Sequence, residues 1–117
     1  IKEHRDYAIL TAEISKATFG MTPSEYKEFK NLPAKSKANL RDNMDDLELI
    51  FTMLGERVTT EISKEEKPET FTENKNIAKR GGKVAGNALK ETEKELGRDV
   101  SSKQNVLDND EQLKIDK

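Results

Sequence analysis

The chain has 117 residues, of which 38% are charged and 32% hydrophobic; its formal net charge is −2, with one His, no Cys and no Trp. This length suits one domain, and an apolar content below the roughly 45–50% of ordinary domains requires a thin core carried by helices. Disulfides, thiolate chemistry and Cys/His metal sites are excluded, and no run of 18 apolar residues exists to span a membrane.

Gly and Pro number six and three, and Glu, Lys, Ala and Leu abound, so the expected class is all-α: about four helices, one of them long and central. From His4 to Phe19, Tyr7, Leu10, Ile14 and Ala17 recur at spacings of three and four, which predicts a one-sided helix ended by Gly20. Thr22-Pro23-Ser24-Glu25 has the form of a capping box with Pro at the first helical position, and Asn31-Leu32-Pro33 should stop the short helix that follows.

The strongest periodicity comes next. Leu40, Met44, Leu47, Phe51, Leu54 and Val58 are spaced 4, 3, 4, 3 and 4, predicting one helix from about residue 36 to 63 with a seam for another helix. In a chain so poor in apolar residues, that partner is expected to include a second copy, making a homo-oligomer. Gly55 weakens this helix by about 1 kcal/mol relative to Ala.

After Glu65-Glu66-Lys67-Pro68, residues 73–96 read as helical again, interrupted or bent at Gly81-Gly82, with Gly97 as C-cap. Phe71, Ala78, Gly82, Ala85, Leu89 and Leu96 share one face, small enough for another helix to approach closely. No acid occurs between Asn74 and Lys90, so Lys75, Lys79, Arg80, Lys83 and Lys90 form a +5 stretch, a candidate nucleic-acid contact within an acidic protein. Residues 1–100 are read as the helical module; from Arg98 the chain turns polar, and 101–117 are expected to be a flexible tail.

Reactive chemistry is weakly represented. Gly81-Gly82-Lys83-Val84-Ala85-Gly86 lacks the Gly-Lys-Ser/Thr ending and the preceding strand of a nucleotide loop, so it reads as helix packing. His4 has no partner to make it a general base. Asp42, Asp45, Asp46 and Glu48 read as the solvated face of the long helix rather than a cation site, and Thr59-Thr60 as surface hydroxyls. Residues 9–30 have the outline of a helix-turn-helix, but Glu25 and Glu28 beside Lys27 and Lys30 would repel phosphate, so a plain helical hairpin is favoured. No enzyme activity and no cofactor are expected.

Three long stretches carry a resemblance. Residues 39–44 (NLRDNM), 47–56 (LELIFTMLGE) and 59–62 (TTEI) resemble the C-terminal part of bacterial and phage proteins with a BRO-type N-terminal domain, commonly labelled phage antirepressors or DNA-damage-inducible protein D. Phe71, Glu73-Asn74-Lys75, Ala78, Gly81-Gly82, Val84-Ala85-Gly86, Ala88, Glu93, Gly97, Val100, Ser101 or Ser102, and Asn105 continue it, and Tyr7-Ala8-Ile9-Leu10-Thr11, Glu13-Ile14, Met21 and Glu25-Tyr26-Lys27 extend it upstream. The resemblance covers about residues 7–107. It implies an accessory helical module of a DNA-associated regulator, partnered by DNA or a DNA-bound regulatory protein, and it brings no catalytic residues; a cytoplasmic location is expected from the absence of Cys. The opening at Ile1 without a signal-peptide pattern fits a piece of a longer protein.

Overall fold

The Thr22 hydroxyl accepts the Glu25 amide at 3.2 Å while the Glu25 carboxylate accepts the Thr22 amide at 2.9 Å, and this reciprocal cap starts a helix where the sequence placed one. The computed structural model describes residues 4–32 and 39–102. Among them are four α-helices and no strand: α1 (His4–Phe19), α2 (Pro23–Phe29), α3 (Asp46–Glu66) and α4 (Phe71–Leu96). The expected all-α class holds, and no helix of the described residues is long and apolar enough to cross a membrane.

The element boundaries differ from expectation at three points. Helix α3 starts at Asp46, ten residues after the expected start, because Asp45 caps it: its carboxylate accepts the Glu48 amide at 2.9 Å and Glu48 accepts the Asp45 amide at 3.0 Å. Before this cap, Arg41–Asn43 form one 3-10 turn and Met44 is extended at φ −90, ψ 145. Leu40 and Met44 therefore continue the 4-3 spacing without continuing the helix. Residues 36–38 of the expected helix lie outside the described residues.

Helix α4 runs unbroken through Gly81-Gly82 for 26 residues, capped by the Thr70 hydroxyl at one end and Gly97 (φ +71) at the other. It, rather than α3, is the central helix, because it packs along both α1 and α3. Its small residues set the approach. A methyl group on Gly81 would lie 2.0 Å from Thr59 Oγ1, one on Gly82 2.6 Å from the Ile14 carbonyl, and one on Gly86 2.4 Å from the Ala17 carbonyl. The two backbones of each crossing thus meet where only hydrogen fits. From α3, Gly55 faces Thr18 and Ile14 of α1 and Ala85 of α4, so its cost in helix propensity is exchanged for a three-helix contact.

The third difference concerns the end of the described chain. Arg98 and Asp99 are exposed, but Val100 is wholly buried, forming one apolar cluster with Phe51 and Leu89. Phe19, Leu47, Leu54 and Ala88 pack around that cluster. Val100 thus closes the 1–100 module, and the attachment continues two residues further, where the Ser102 backbone bonds to Lys30 and Glu48. The remainder of the expected tail, residues 103–117, lies outside the described residues.

Candidate functional site

Two polar arrangements stand out, one buried and one on the surface. The buried one begins at the C-terminus of α2. Asn31 adopts φ +63, and its amide bonds to the Glu28 carbonyl at 3.0 Å while the Leu32 amide bonds to the Lys27 carbonyl at 2.8 Å. This pair of bonds is a Schellman motif, which ends the helix sharply and leaves Lys30 at the cap. Its side chain turns inward.

Lys30 Nζ donates to Glu48 Oε1 at 2.9 Å and to the Ser102 carbonyl at 2.7 Å. Both side chains of the ion pair are wholly buried. Glu48 also accepts from the Tyr26 hydroxyl, from the Ser102 amide at 3.2 Å and from the Asp45 amide, so its lone pairs are satisfied without water. Tyr26 is wholly buried between edge-on Phe19 and Phe29 rings at 4.9 and 6.1 Å. Burial first, and then the bond to Glu48, pushes its phenol well above the ordinary tyrosine range. This centre joins α2, α3 and the segment after α4, and its donors and acceptors are consumed by one another.

The reading of Glu48 as part of a solvated acidic face is therefore corrected: Asp42 and Asp46 are exposed, Asp45 is half-buried in the cap, and Glu48 is in the core. Among the described residues no group of three or more His, Asp or Glu could hold a metal ion. By sequence, Lys30 and Glu48 read as surface charges, neither with a buried role. Asp45-x-x-Glu48 has the same capping-box form as Thr22-x-x-Glu25 and would have placed Glu48 on the first turn of α3. Nothing in the sequence pairs it with Lys30.

The surface arrangement lies between α1 and α4, where Glu13, Lys16, Ala17, Lys79 and Lys83 line one open groove. Lys79 and Lys83 are one turn apart on α4, exposed, and in no ion pair with another described residue; Lys90 further along is likewise exposed. The other two members of the predicted stripe are engaged. Lys75 lies 3.8 Å from Glu13, and Arg80 holds Glu66 with two bonds of 2.8 and 2.7 Å. Arg80 thereby keeps the Glu66 carboxyl below its usual range. Lys16 was not among the predicted contacts; it joins them because α1 crosses α4 at Gly82 and Gly86.

The predicted seam residues face inward. Met44 and Phe51 are buried, Leu47 and Leu54 pack on the core cluster, and Leu40 and Val58 are half-buried. Leu40 and Met44 also line an apolar cavity of about 140 Å³ together with Ile14, Thr18, Phe19 and Thr52. What α3 leaves outside is Ile50 and Met53, 56% and 59% exposed. The glycines of the loop-like Gly81-Gly86 segment are filled by Thr59, Ile14 and Ala17, so helices occupy the space an anion would need.

Comparison with protein-family models, with curated proteins and with solved structures found no match.

Proposed function

We propose that this chain is a non-catalytic helical interaction module of a DNA-associated regulator, of the kind labelled phage antirepressor or DNA-damage-inducible protein D, and that its working surface is the cationic α1–α4 groove. The observation that carries this reading is the convergence of Lys16, Lys79 and Lys83 from two helices on one groove. Two of those lysines have no acidic partner among the described residues, so the groove offers net positive charge to a polyanion. Phosphate backbone answers that chemistry, and without aromatic or Arg base readers on the face the contact would be sequence-independent and salt-sensitive. The resemblance over residues 7–107 supplies the DNA-associated context.

The test is a fluorescence titration of the whole chain against mixed-sequence duplex DNA over a range of salt concentrations. Each lysine that contacts phosphate adds about 1 to the slope of log affinity against log salt. Absence of binding at low salt removes the reading.

A second reading, self-association, is favoured by one observation: Ile50 and Met53 lie exposed on adjacent positions of α3's outer face. It predicts a concentration-dependent mass in sedimentation that Met53→Lys abolishes.

A further inference from the structure

Among the described residues that line the cationic groove, one is acidic: Glu13 on α1 stands beside Lys16, Lys79 and Lys83. Lys75 lies one turn before Lys79 and two before Lys83, on the same row of α4, and its Nζ comes to 3.8 Å from Glu13 Oε1. That separation is too long for a hydrogen bond, so charge alone holds the pair. Its two side chains are 40% and 23% exposed, and an ion pair so open to water is weakly held. Arg80 is the contrast: it takes Glu66 through two bonds of 2.8 and 2.7 Å, and neither of those residues lines the groove. Lys75 is thus the cation of the +5 stretch whose acid sits among the lysines that the groove offers.

We infer that the Lys75–Glu13 pair is a charge latch on the groove, with Glu13 keeping Lys75 from phosphate and so setting how tightly a polyanion is held. The inference rests on the reading of the groove as a phosphate-binding surface. With the latch closed the pair is neutral, and Lys16, Lys79 and Lys83 are the cations that a phosphate backbone meets. Opening it frees Lys75 but leaves the Glu13 carboxylate bare in the same groove, so the gain of one contact is offset by one approach of like charges. The row of Lys75, Lys79 and Lys83 therefore works one contact short of its sequence. Removing the acid alone completes it.

The experiment titrates mixed-sequence duplex DNA onto the whole chain in four forms, wild type, Glu13→Gln, Lys75→Gln and the double variant, from about 50 to about 200 mM salt. Glu13→Gln should bind more tightly than wild type and raise the slope of log affinity against log salt by about 1, as Lys75 joins the phosphate contacts. Its advantage should shrink about three- to fourfold across that salt range. Lys75→Gln in the wild-type background should weaken binding at constant slope, because it removes no phosphate contact and bares Glu13. In the Glu13→Gln background the same substitution should take back the added unit of slope. Neither side chain is buried, so the four forms should share one helical circular dichroism spectrum. A slope that falls by about 1 for Lys75→Gln alone would mean that Lys75 already contacts phosphate, and overturns the latch. So does a Glu13→Gln chain that binds no more tightly than wild type while Lys79→Gln/Lys83→Gln still weakens binding. Absence of binding by wild type and Glu13→Gln alike removes the groove reading itself, and the latch with it.

Discussion

Lys30 at the end of α2 and Glu48 on the first turn of α3 form a 2.9 Å ion pair with both side chains wholly buried. Taking two charges out of water costs several kcal/mol per ion, and the pair survives because the Tyr26 hydroxyl and three backbone groups complete its hydrogen bonding. Removing one partner leaves the other charge buried and uncompensated. Lys30→Met should therefore cost about 3–5 kcal/mol in urea unfolding followed by helical circular dichroism. Adding Glu48→Gln, which removes the orphaned charge but keeps an acceptor, should recover part of that loss. A cost below about 1 kcal/mol for Lys30→Met would place this pair among exposed ones.

The seam is tested by adjacent positions of one helix. Phe51 is buried against Leu89 and Val100, so Phe51→Ala should cost about 3–5 kcal/mol, and Phe51→Asp should prevent folding. Ile50→Ser, one residue away and exposed, should stay within about 0.5 kcal/mol. Equal effects at the two positions would contradict the inward orientation.

The glycines of α4 invert the ordinary propensity rule. Alanine at an exposed helical glycine gains about 1 kcal/mol. At Gly81 or Gly82 the added methyl would sit 2.7 Å from the Thr59 amide or 2.6 Å from the Ile14 carbonyl, both backbone atoms that cannot swing aside. Gly81→Ala and Gly82→Ala should lower stability by about 1–3 kcal/mol as the helices are forced apart. Thermal unfolding of the single variants checks the sign.

These residues show where sequence reasoning succeeds. The 3.6 period, the Thr22 capping box and the small face of α4 are local patterns, and each produced the element or contact that its chemistry demands. The start of α3 was misplaced because Leu40 and Met44 keep the spacing of the seam while Asp45 imposes a cap, and a side-chain bond at one residue outweighs periodicity. Lys30 paired with Glu48, Val100 in the core and Lys16 beside Lys83 are encounters between distant segments, created by the crossing of α1 with α4 and by the turn at Gly97. Local patterns carry no information on such encounters, so neither the Lys30–Glu48 pair nor the neighbours of Val100 could be read from the sequence.

Stability should fall at both ends of the pH scale, for opposite reasons. The Tyr26 phenol is raised above its ordinary value of about 10, so its contribution is complete below that value and declines as pH rises past it, where only the unfolded chain loses the proton. Glu25 is lowered by its bonds to the Thr22 backbone and hydroxyl, and Glu66 by Arg80. Their contributions are present above the ordinary glutamate value of 4.5 and are lost as pH falls below it. Urea midpoints measured from acid to alkaline pH should decline on both flanks, and Tyr26→Phe should remove the alkaline dependence.

The central claim is that the α1–α4 groove is the working surface, and its most direct test compares DNA titrations of the wild-type chain and the Lys79→Gln/Lys83→Gln variant at matched low and moderate salt. Both side chains are exposed and outside the core, so the variant should fold as the wild type does. The predicted result is weaker binding with a salt slope smaller by about 2. An unchanged affinity and slope in a properly folded variant would contradict the account.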